Sequence, residues 1–275
     1  MLEFAKRLCY SETRTRETGK GGGGMLAEKR FAVILDVLAK RRAATVTELA
    51  QRLDTSESTV RRDLMILAEQ GKLNKVHGGA TAVDATFESG EPTMSAKEQL
   101  NQEQKDMIAR YAAAQIQPDD VIFLDAGSTT LRMLEYMEPS DGLLIVTNGI
   151  LHAQRLVNKG FKAYILGGML KTGTEAIVGA GAVQSLSHYN FTKAFIGING
   201  ITVGQGYTTP DVEEAQVKSM ALRQAYIKYV LADSSKFGRV SAVTVAPIDQ
   251  ACIVTDHLPD KSYRKHAVIK EVEGL

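Results

Sequence analysis

The spacing of hydrophobic residues changes along this chain of 275 residues, and the change divides the chain into two parts. Within residues 25–80, apolar side chains recur every three or four positions, which is typical of amphipathic helices. From about residue 100 onward, short apolar runs rich in β-branched residues alternate with stretches of helical spacing. This pattern predicts a helical first domain and a second domain in which strands and helices alternate. The chain is long enough for two such domains.

The segment from residue 45 to residue 79 shows the helical pattern most clearly. Its apolar positions form two successive stripes, Val46, Leu49, Ala50 and Leu53, then Val60, Leu64 and Leu67. Thr45 with Glu48 fits a capping box that opens the first helix, and Ser56 can cap the second. Gly71 can end the second helix, and Lys72–His77 alternates like a strand before a glycine pair breaks it. We therefore predict two short helices joined by a tight turn and followed by a β-hairpin wing.

The polar face of the second predicted helix favours a DNA-binding role. Ser58, Arg61 and Arg62 point away from the apolar stripe. An arginine can donate two hydrogen bonds to guanine in the major groove, and wing lysines can lie against phosphates. The predicted DNA-contacting residues are Ser56, Ser58, Thr59, Arg61, Arg62, Lys72, Lys75 and His77. The alternative is an ordinary helical hairpin with a solvated charged face.

Charge is distributed unevenly along the chain, although the net charge is only +1. Residues 25–80 contain ten basic and seven acidic residues, a balance of +3, and residues 1–24 contain five and three, a balance of +2. The remaining stretch contains 18 basic and 22 acidic residues, a balance of −4. A basic front and an acidic rear fit DNA contact that is confined to the front.

Composition disfavours several other classes of protein. Cys9 and Cys252 are the only cysteines and the five histidines are scattered, so we predict no metal site and no cofactor. No apolar run approaches the ~20 residues needed to cross a bilayer, and we predict a cytoplasmic protein with no membrane partner. Residues 1–24 are polar and end in a glycine run, which predicts a flexible tail or a mis-assigned start rather than a basic arm for the minor groove.

Six apolar runs beyond residue 100 have the length and composition of buried strands. They are VIFLD (121–125), LLIVT (143–147), KAYIL (162–166), KAFIG (193–197), KYVLA (228–232) and ACIVT (251–255). Helical stretches are predicted at 102–115, 129–137, 151–158 and 212–226. Continuous apolar strands that alternate with helices predict a largely parallel sheet, covered on both faces, within residues 99–275. Residues 81–98, with Gly90 and Pro92 as breakers, are predicted to be a linker.

The loops that follow the predicted strands are rich in groups that bind phosphate. Ligands of open α/β sheets bind outside the carboxyl ends of the strands. After the first strand, Asp125–Thr130 opens into a helix and combines glycine, hydroxyl groups and free N–H groups. Later loops contain Thr147–Gly149, Gly167–Gly168, Gly197–Gly200 and Asp233–Lys236. Taken singly, each loop fits an ordinary turn better, but several at one sheet edge favour a phosphate site.

Two groups of motifs resemble those of the DeoR-type repressors. SESTVRRDLMILAEQGKLNKVHGGA is similar to the DNA-binding signature of that family, and DAGSTT, VTNG, LGG, GINGI and DSSKF are similar to motifs of its sensor domain. The resemblance covers nearly all of residues 25–275. It implies a winged helix-turn-helix over 25–80 and an α/β sensor domain over 99–275 with the ribose-5-phosphate isomerase fold. A phosphorylated sugar would bind the sensor and alter DNA affinity, through Asp125, Gly127, Ser128, Thr129, Thr130, Asn148 and Lys236.

Two further stretches, LGGMLKTGTEAIVGAGA and GINGITVGQGYTTPDVEEAQVK, look closest to the fructose-operon repressors of this family. The effector implied is fructose 1-phosphate, with a different sugar phosphate as the alternative. The remaining predicted effector-binding residues are Gly167, Gly168, Lys171, Asn199, Thr208, Thr209, Asp211, Glu214 and Lys218. For Lys171 and the residues from Thr208 onward, a solvated loop followed by an amphipathic helix is the alternative interpretation.

The function predicted is a sequence-specific repressor of a sugar operon, with fructose favoured, whose partners are operator DNA and a phosphorylated sugar. A symmetric homo-oligomer would read repeated half-sites. An isomerase-like enzyme is the alternative, but isomerases of this fold carry Gly-Ala-Asp-Glu-Ile where this chain has GINGI (197–201). Asn and Gly cannot take a proton from carbon, and Glu213 or Glu214 has no matched partner. A sequence-blind DNA binder is disfavoured by the low net charge.

Overall fold

The computed structural model describes residues 26–41, 43–70, 72–82, 86–87 and 90–272. The predicted tail over residues 1–24 and the predicted helix end at Gly71 lie outside the described residues. The chain divides into two compact units, Met1–Asp84 and Ala85–Leu275. No helix among the described residues is long and apolar enough to cross a membrane.

The first unit is a winged helix-turn-helix, as the sequence predicts. Its elements are helices α1 (Ala27–Arg41), α2 (Val46–Leu53) and α3 (Glu57–Glu69) and strands β1 (Ala43–Thr45), β2 (Leu73–Val76) and β3 (Gly79–Ala82). The three strands form an antiparallel sheet in the order β1-β3-β2. The predicted capping box is present, because Glu48 N–H donates to Thr45 Oγ1 at 3.2 Å and Thr45 N–H donates to Glu48 Oε2 at 2.8 Å.

One core holds the three helices of the first unit together. Ile34 and Leu38 of α1, Leu49 of α2, and Leu64 and Leu67 of α3 are at most 1% exposed. These residues occupy the helical stripes that the spacing predicts, and burying each one stabilises the fold by about 1.5–3 kcal/mol. The core therefore fixes the direction in which the opposite face of α3 points.

The second unit contains strands β4 (Thr86–Phe87), β5 (Val121–Leu124), β6 (Leu144–Thr147), β7 (Ala163–Ile165), β8 (Met169–Lys171), β9 (Ala176–Val178), β10 (Phe191–Gly197), β11 (Gly200–Thr202), β12 (Gly206–Thr209), β13 (Ala225–Leu231), β14 (Arg239–Val240), β15 (Val243–Ala246), β16 (Cys252–Thr255) and β17 (Val268–Glu271). Seven of these strands form one sheet in the order β17-β16-β13-β10-β5-β6-β7, with every neighbouring pair parallel. The helices of the second unit are α4 (Met94–Gln99), α5 (Gln102–Ala113), α6 (Ser128–Met133), α7 (Ile150–Asn158), α8 (Ala180–Leu186) and α9 (Val212–Gln224). The predicted parallel sheet is thereby confirmed.

Both faces of the central strands of this sheet are buried, which explains why those strands are largely apolar. Along β5, Phe123 packs into one core, whereas Ile122 and Leu124 pack into a second core on the opposite face. Neighbouring β10 repeats the alternation, with Ile196 in the first core and Phe195 in the second. When both faces of a strand are buried, the usual alternation of apolar and polar residues along the strand is lost.

The interval 81–98 is not the plain linker that its composition predicts. It contains the end of β3, strand β4, which pairs in parallel with β14, and most of helix α4. Thr93 Oγ1 caps α4 by accepting from Ala96 N–H at 3.3 Å, and Met94 is buried. The breakers Gly90 and Pro92 lie just before this helix, so they end one element without preventing the next.

Smaller differences concern the ends of elements. The helix predicted over 129–137 begins one residue earlier and continues after Met133 as a 3-10 turn over Leu134–Tyr136. Two antiparallel units that the sequence did not indicate, the β8–β9 hairpin and the β11-β12-β15 sheet, lie between elements of the large sheet.

Candidate functional site

The outer face of α3 carries the predicted DNA-contacting side chains. Ser58, Arg61 and Arg62 are exposed. Arg61 forms an ion pair with Glu57 at 2.7 Å, whereas Arg62 forms no ion pair with any described residue. Ser56 caps the helix by accepting from Thr59 N–H at 3.2 Å, so both hydroxyls lie at the positive end of α3. The helix thus presents two arginines and a group of hydroxyls on one solvent-facing surface.

The wing supplies further exposed basic groups. Lys72, Lys75 and His77 are all exposed, and so are Asn74 and Val76 between them. Leu73, in contrast, is buried and ties the wing to the core. The structure therefore places every predicted DNA-contacting residue on the surface of the first unit.

A partly buried ion pair joins α1 to α3 in this unit. Asp63 follows the two exposed arginines but points inward, where its carboxylate accepts from Arg30 Nε at 2.6 Å and from the Arg30 guanidinium again at 3.0 Å. The hydrogen bond that Arg30 donates to Asp63 raises the pKa of Arg30. The sequence analysis missed this pair, because nothing in the local pattern links residues 33 positions apart.

A cavity of about 450 Å³ in the second unit opens at the carboxyl ends of four adjacent strands, β13, β10, β5 and β6. Residues that follow these strands line it: Leu231–Asp233, Gly197–Asn199, Ala126–Thr129 and Asn148. The rest of the lining is Phe87, Gly90, Pro92, Lys97, Leu100, Asn101, Lys105, Thr174, Ala176, Glu214, Lys218, Lys236 and Arg239. Open α/β sheets bind ligands at this edge, as the sequence analysis expected.

Eight of the predicted effector-binding residues line this cavity. They are Gly127, Ser128, Thr129, Asn148, Asn199, Glu214, Lys218 and Lys236. Ser128 and Thr129 begin α6, and the first amides of a helix have no carbonyl partner within it. The cavity lining therefore combines hydroxyl groups, side-chain amides and lysines.

Asp125 does not face the cavity, although the sequence analysis expected it to face the ligand. It is 1% exposed, and its carboxylate accepts from Gly127 N–H at 3.1 Å, Gly197 N–H at 3.0 Å and the ammonium of Lys218. Thr130 lies beside it, with Oγ1 2.9 Å from Asp125 Oδ1. These two residues therefore position the loop from beneath, since their polar atoms are already engaged.

The six remaining predicted residues lie outside the lining. They are Gly167, Gly168, Lys171, Thr208, Thr209 and Asp211. The glycine pair follows β7, which is the edge strand, so its loop leads into β8 instead of reaching the central strands. Thr209 donates to Asn199 Oδ1 at 3.0 Å, and Asp211 caps α9 by accepting from Glu214 N–H. Each of these two residues therefore holds a residue that lines the cavity.

Lys171 is held in a cluster of carboxylates next to the cavity. Its ammonium lies 3.1 Å from Glu91, 3.1 Å from Asp211 and 2.9 Å from Glu214. Burial opposes its charge, but the hydrogen bond and charge of Glu214 prevail and raise its pKa. Lys171 is thus occupied by protein groups, and Glu214 is the member of the cluster that lines the cavity.

The cavity lining is rich in basic groups. It contains the basic residues Lys97, Lys105, Lys218, Lys236 and Arg239 and the acidic residues Glu214 and Asp233. Two of the lysines also pair with carboxylates outside the lining, Lys97 with Glu91 and Lys218 with Asp125. Burial lowers the pKa of Lys105 to about 8; the charge of Asp233 opposes this shift, and the charges of Lys236 and Lys97 contribute to it. Lysines that repel one another in a partly closed space indicate a site prepared for an anion.

Lys97, Asn101, Lys105, Thr174, Asp233 and Arg239 line the cavity but were not among the predicted site residues. Lys97 lies in α4 and Lys105 in α5, both ahead of the first strand of the large sheet. The rule that ligands contact the loops after strands cannot find them. Asn101 Nδ2 donates to Asp233 Oδ1 at 3.0 Å, which joins the segment before the sheet to the loop after β13.

The amide of Asn148 is only half satisfied. Its Nδ2 donates to the Ile177 carbonyl at 3.2 Å, whereas its Oδ1 accepts no hydrogen bond from any described residue. Asn148 is 4% exposed.

Among the described residues, no group of three or more His, Cys, Asp or Glu side chains is arranged to hold a metal ion.

An exposed recognition helix with a wing, followed by an α/β domain with a cationic cavity, defines a DNA-binding transcription regulator with a sensor domain. The comparisons with known proteins agree. The model of the DeoR-like helix-turn-helix domain matches residues 30–86, and the model of the DeoR C terminal sensor domain matches residues 100–257. The chain belongs to the DeoR family of transcriptional regulators.

Relatives of known name cover nearly the whole chain. It is 40% identical over 253 residues to the uncharacterized HTH-type transcriptional regulator FruR of Bacillus subtilis. The aligned region covers 90% of this chain and 100% of that protein. It is 32% identical over 241 residues to the HTH-type transcriptional repressor GlcR of the same organism, covering 87% and 92% of the two chains. Ribose 5-phosphate isomerase A of Methanocaldococcus jannaschii is a structural match at 16% identity and TM-score 0.36, covering 50% of this chain and 55% of that one.

Proposed function

We propose that this protein represses a sugar-utilisation operon, with fructose favoured, and that a phosphorylated sugar bound in the cavity controls its DNA affinity. The observation that carries the proposal is the convergence of Lys97, Lys105 and Lys236 in a cavity that also offers hydroxyl and amide groups. A phosphate dianion suits the lysines, and the hydroxyl groups of a sugar suit the amides.

The relatives support a sugar as the ligand class. Besides FruR and GlcR, the chain is 32% identical over 252 residues to the lactose phosphotransferase system repressor of Streptococcus mutans. Fructose 1-phosphate is the effector we favour, because the motifs around 166–182 and 197–218 resemble those of fructose-operon repressors. Tagatose 6-phosphate and other sugar phosphates are the competing candidates.

On the DNA side, we propose that Arg61 and Arg62 contact bases and that Lys72 and Lys75 contact phosphates. A regulator of this kind would act in the cytoplasm as a symmetric oligomer whose recognition helices read half-sites about one helical turn apart or a multiple of it. The effector would release the repressor from DNA, which requires that it bind the DNA-free form more tightly.

A thermal-shift screen tests the sensor half of the proposal. Fructose 1-phosphate, fructose 6-phosphate, ribose 5-phosphate, tagatose 6-phosphate and glucitol 6-phosphate would be compared side by side. A ligand at about 100 times its dissociation constant stabilises the folded state by about 2.7 kcal/mol, which gives a clear shift. A selective shift with fructose 1-phosphate supports the favoured effector, and no shift with any sugar phosphate contradicts the sensor role.

A catalytic function is not proposed. Glu214 is a carboxylate of the cavity lining that an isomerase could use as its base. Its Oε1, however, accepts from Lys171 at 2.9 Å and from Thr174 at 2.6 Å. Both hydrogen bonds engage this oxygen with protein groups, so it is not free to accept a proton from a substrate carbon. Incubation with the five sugar phosphates should give no product, and measurable turnover would favour the enzyme.

A further inference from the structure

The cavity contains one buried acceptor that no described residue satisfies, Asn148 Oδ1. Leaving a buried polar atom unpaired costs about 1–3 kcal/mol. Such atoms are rare in native proteins and each requires an explanation. Asn148 is one of the residues that line the cavity, but its Oδ1 is fully buried, so a ligand supplies the missing hydrogen bond only when the cavity wall shifts to admit it.

The neighbouring strand fixes which end of the Asn148 amide is left over. Nδ2 donates to the Ile177 carbonyl at 3.2 Å, and the backbone of Ile177 in turn donates its N–H to the Asn148 carbonyl at 2.7 Å. A flipped amide would place two oxygens against each other at Ile177 and lose this bond. The unpaired atom of the amide is therefore the oxygen, which only accepts.

An acceptor selects a particular chemical class of partner. The oxygens of a phosphate dianion are also acceptors and would repel Asn148 Oδ1, whereas a hydroxyl group can donate to it. Asn199, which lines the same cavity, differs because its Oδ1 already accepts from Thr209. The two asparagines are therefore not equivalent toward a ligand.

We propose that Asn148 Oδ1 accepts a hydrogen bond from one hydroxyl of the sugar, and that Asn148 thereby determines which sugar phosphates bind. The proposal rests on the proposed function, since it takes a phosphorylated sugar as the occupant of the cavity. It assigns the neutral part of the ligand to Asn148 and the phosphate to the cationic wall formed by Lys97, Lys105 and Lys236. Selectivity among sugar phosphates then depends on whether a hydroxyl reaches Asn148.

Calorimetric titration of the full chain with modified ligands tests this inference. The probes are fructose 1-phosphate, or the sugar phosphate that gives the largest thermal shift, and its deoxyfluoro analogues at each hydroxyl, since fluorine cannot donate. Removing the one hydroxyl that reaches Asn148 should weaken binding by about 10- to 100-fold, because the acceptor is left unpaired. In Asn148→Ala the same analogue and its parent should bind with similar affinity.

Asn199→Ala is the matched control, because it removes an amide from the same cavity whose oxygen is already paired. This variant should keep the dependence on the single hydroxyl. Inorganic phosphate should bind wild type and Asn148→Ala equally well. If Asn148→Ala proves unstable, Asn148→Ser and the analogue series on wild-type protein give the same answer.

The outcomes separate the inference from the proposed function. Binding of a sugar phosphate with equal affinity for all its deoxyfluoro analogues overturns the role of Asn148 and leaves the sensor intact. A loss of inorganic phosphate binding in Asn148→Ala also overturns it. Failure of every sugar phosphate to bind overturns both.

Discussion

His152, a buried histidine next to Thr130, should make the second unit sensitive to mild acid. His152 is 1% exposed, and its Nε2 lies 3.1 Å from Thr130 Oγ1. Burial lowers its pKa from the ordinary 6.5 to about 4, although the charge of Asp125 opposes the shift. In the unfolded chain the same imidazole takes up a proton near pH 6.5. The unfolded state therefore binds more protons than the folded state between these two values.

The size of the effect follows from the two pKa values. Stability is unaffected by this group well above pH 6.5, and it falls as the pH drops below 6.5, because protons then favour the unfolded chain. With a folded pKa of about 4, the loss is about 2 kcal/mol by pH 5 and about 3 kcal/mol once both states are protonated. A loss of this size is a large part of the 5–15 kcal/mol that ordinarily separates folded and unfolded proteins.

Urea unfolding of wild type and His152→Gln at pH 8 and pH 5 measures this loss. Tyrosine fluorescence is the appropriate signal, because every tyrosine except Tyr10 lies in residues 85–275. Glutamine keeps a polar group that can bond to Thr130 but does not titrate. Wild type should lose about 2 kcal/mol more than the variant on going to pH 5, and His188→Gln, which changes an exposed histidine, should behave like wild type. Equal losses in wild type and His152→Gln would refute the reasoning.

Three further predictions follow from the ion pairs and the cationic wall. Asp63→Ala should destabilise the first unit by about 1–3 kcal/mol because it removes the buried carboxylate that accepts two hydrogen bonds from Arg30, whose side chain is 17% exposed. Thermal unfolding followed by circular dichroism would show the loss, with Glu69→Ala, which changes an exposed carboxylate of the same helix, as the control. Sugar phosphate affinity should weaken as the pH rises above about 8, where Lys105 loses its proton, and calorimetry on Lys105→Met should give weaker binding with no such dependence. Glu91→Gln should bind the sugar phosphate a few-fold more tightly, since Glu91 Oε1 pairs with Lys97 Nζ at 2.5 Å and competes with the ligand for it; unchanged or weaker binding would contradict that competition.

The elements that the sequence predicted well are those whose pattern is set by their own burial. The helices of the first unit each bury one stripe, so the spacing of residues such as Leu49 and Leu64 reveals them directly. The strands β5 and β10 bury both faces and appear as continuous apolar runs. Wherever one local pattern determines burial, the sequence is sufficient.

The cavity could be predicted only in part, because its chemistry depends on contacts between distant residues. The loops after β5, β6, β10 and β13 were expected to meet, since parallel strands share one carboxyl edge. Asp125 was expected to face the ligand, but Lys218, 93 residues away, turns its carboxylate inward. Lys97 and Lys105 reach the cavity from helices that precede the sheet, one of them in a segment whose breakers indicated a linker. No local pattern encodes such approaches.

The segment that leaves the DNA-binding domain is also a wall of the cavity, and this arrangement bears on how a ligand can affect DNA binding. The wing ends at Ala82, and Phe87, Gly90 and Lys97 already line the cavity. A ligand changes DNA affinity only if it binds the two forms of the protein unequally. The energy for that difference must come from groups that the ligand contacts and that the two forms place differently. The central strands are poor candidates because their side chains are locked in two cores, whereas a phosphate that draws Lys97 away from Glu91 acts on the residues that follow the wing in the chain. If a sugar phosphate controls DNA binding as proposed, that control should therefore depend on residues 86–87 and 90–101 more than on the loops after the strands.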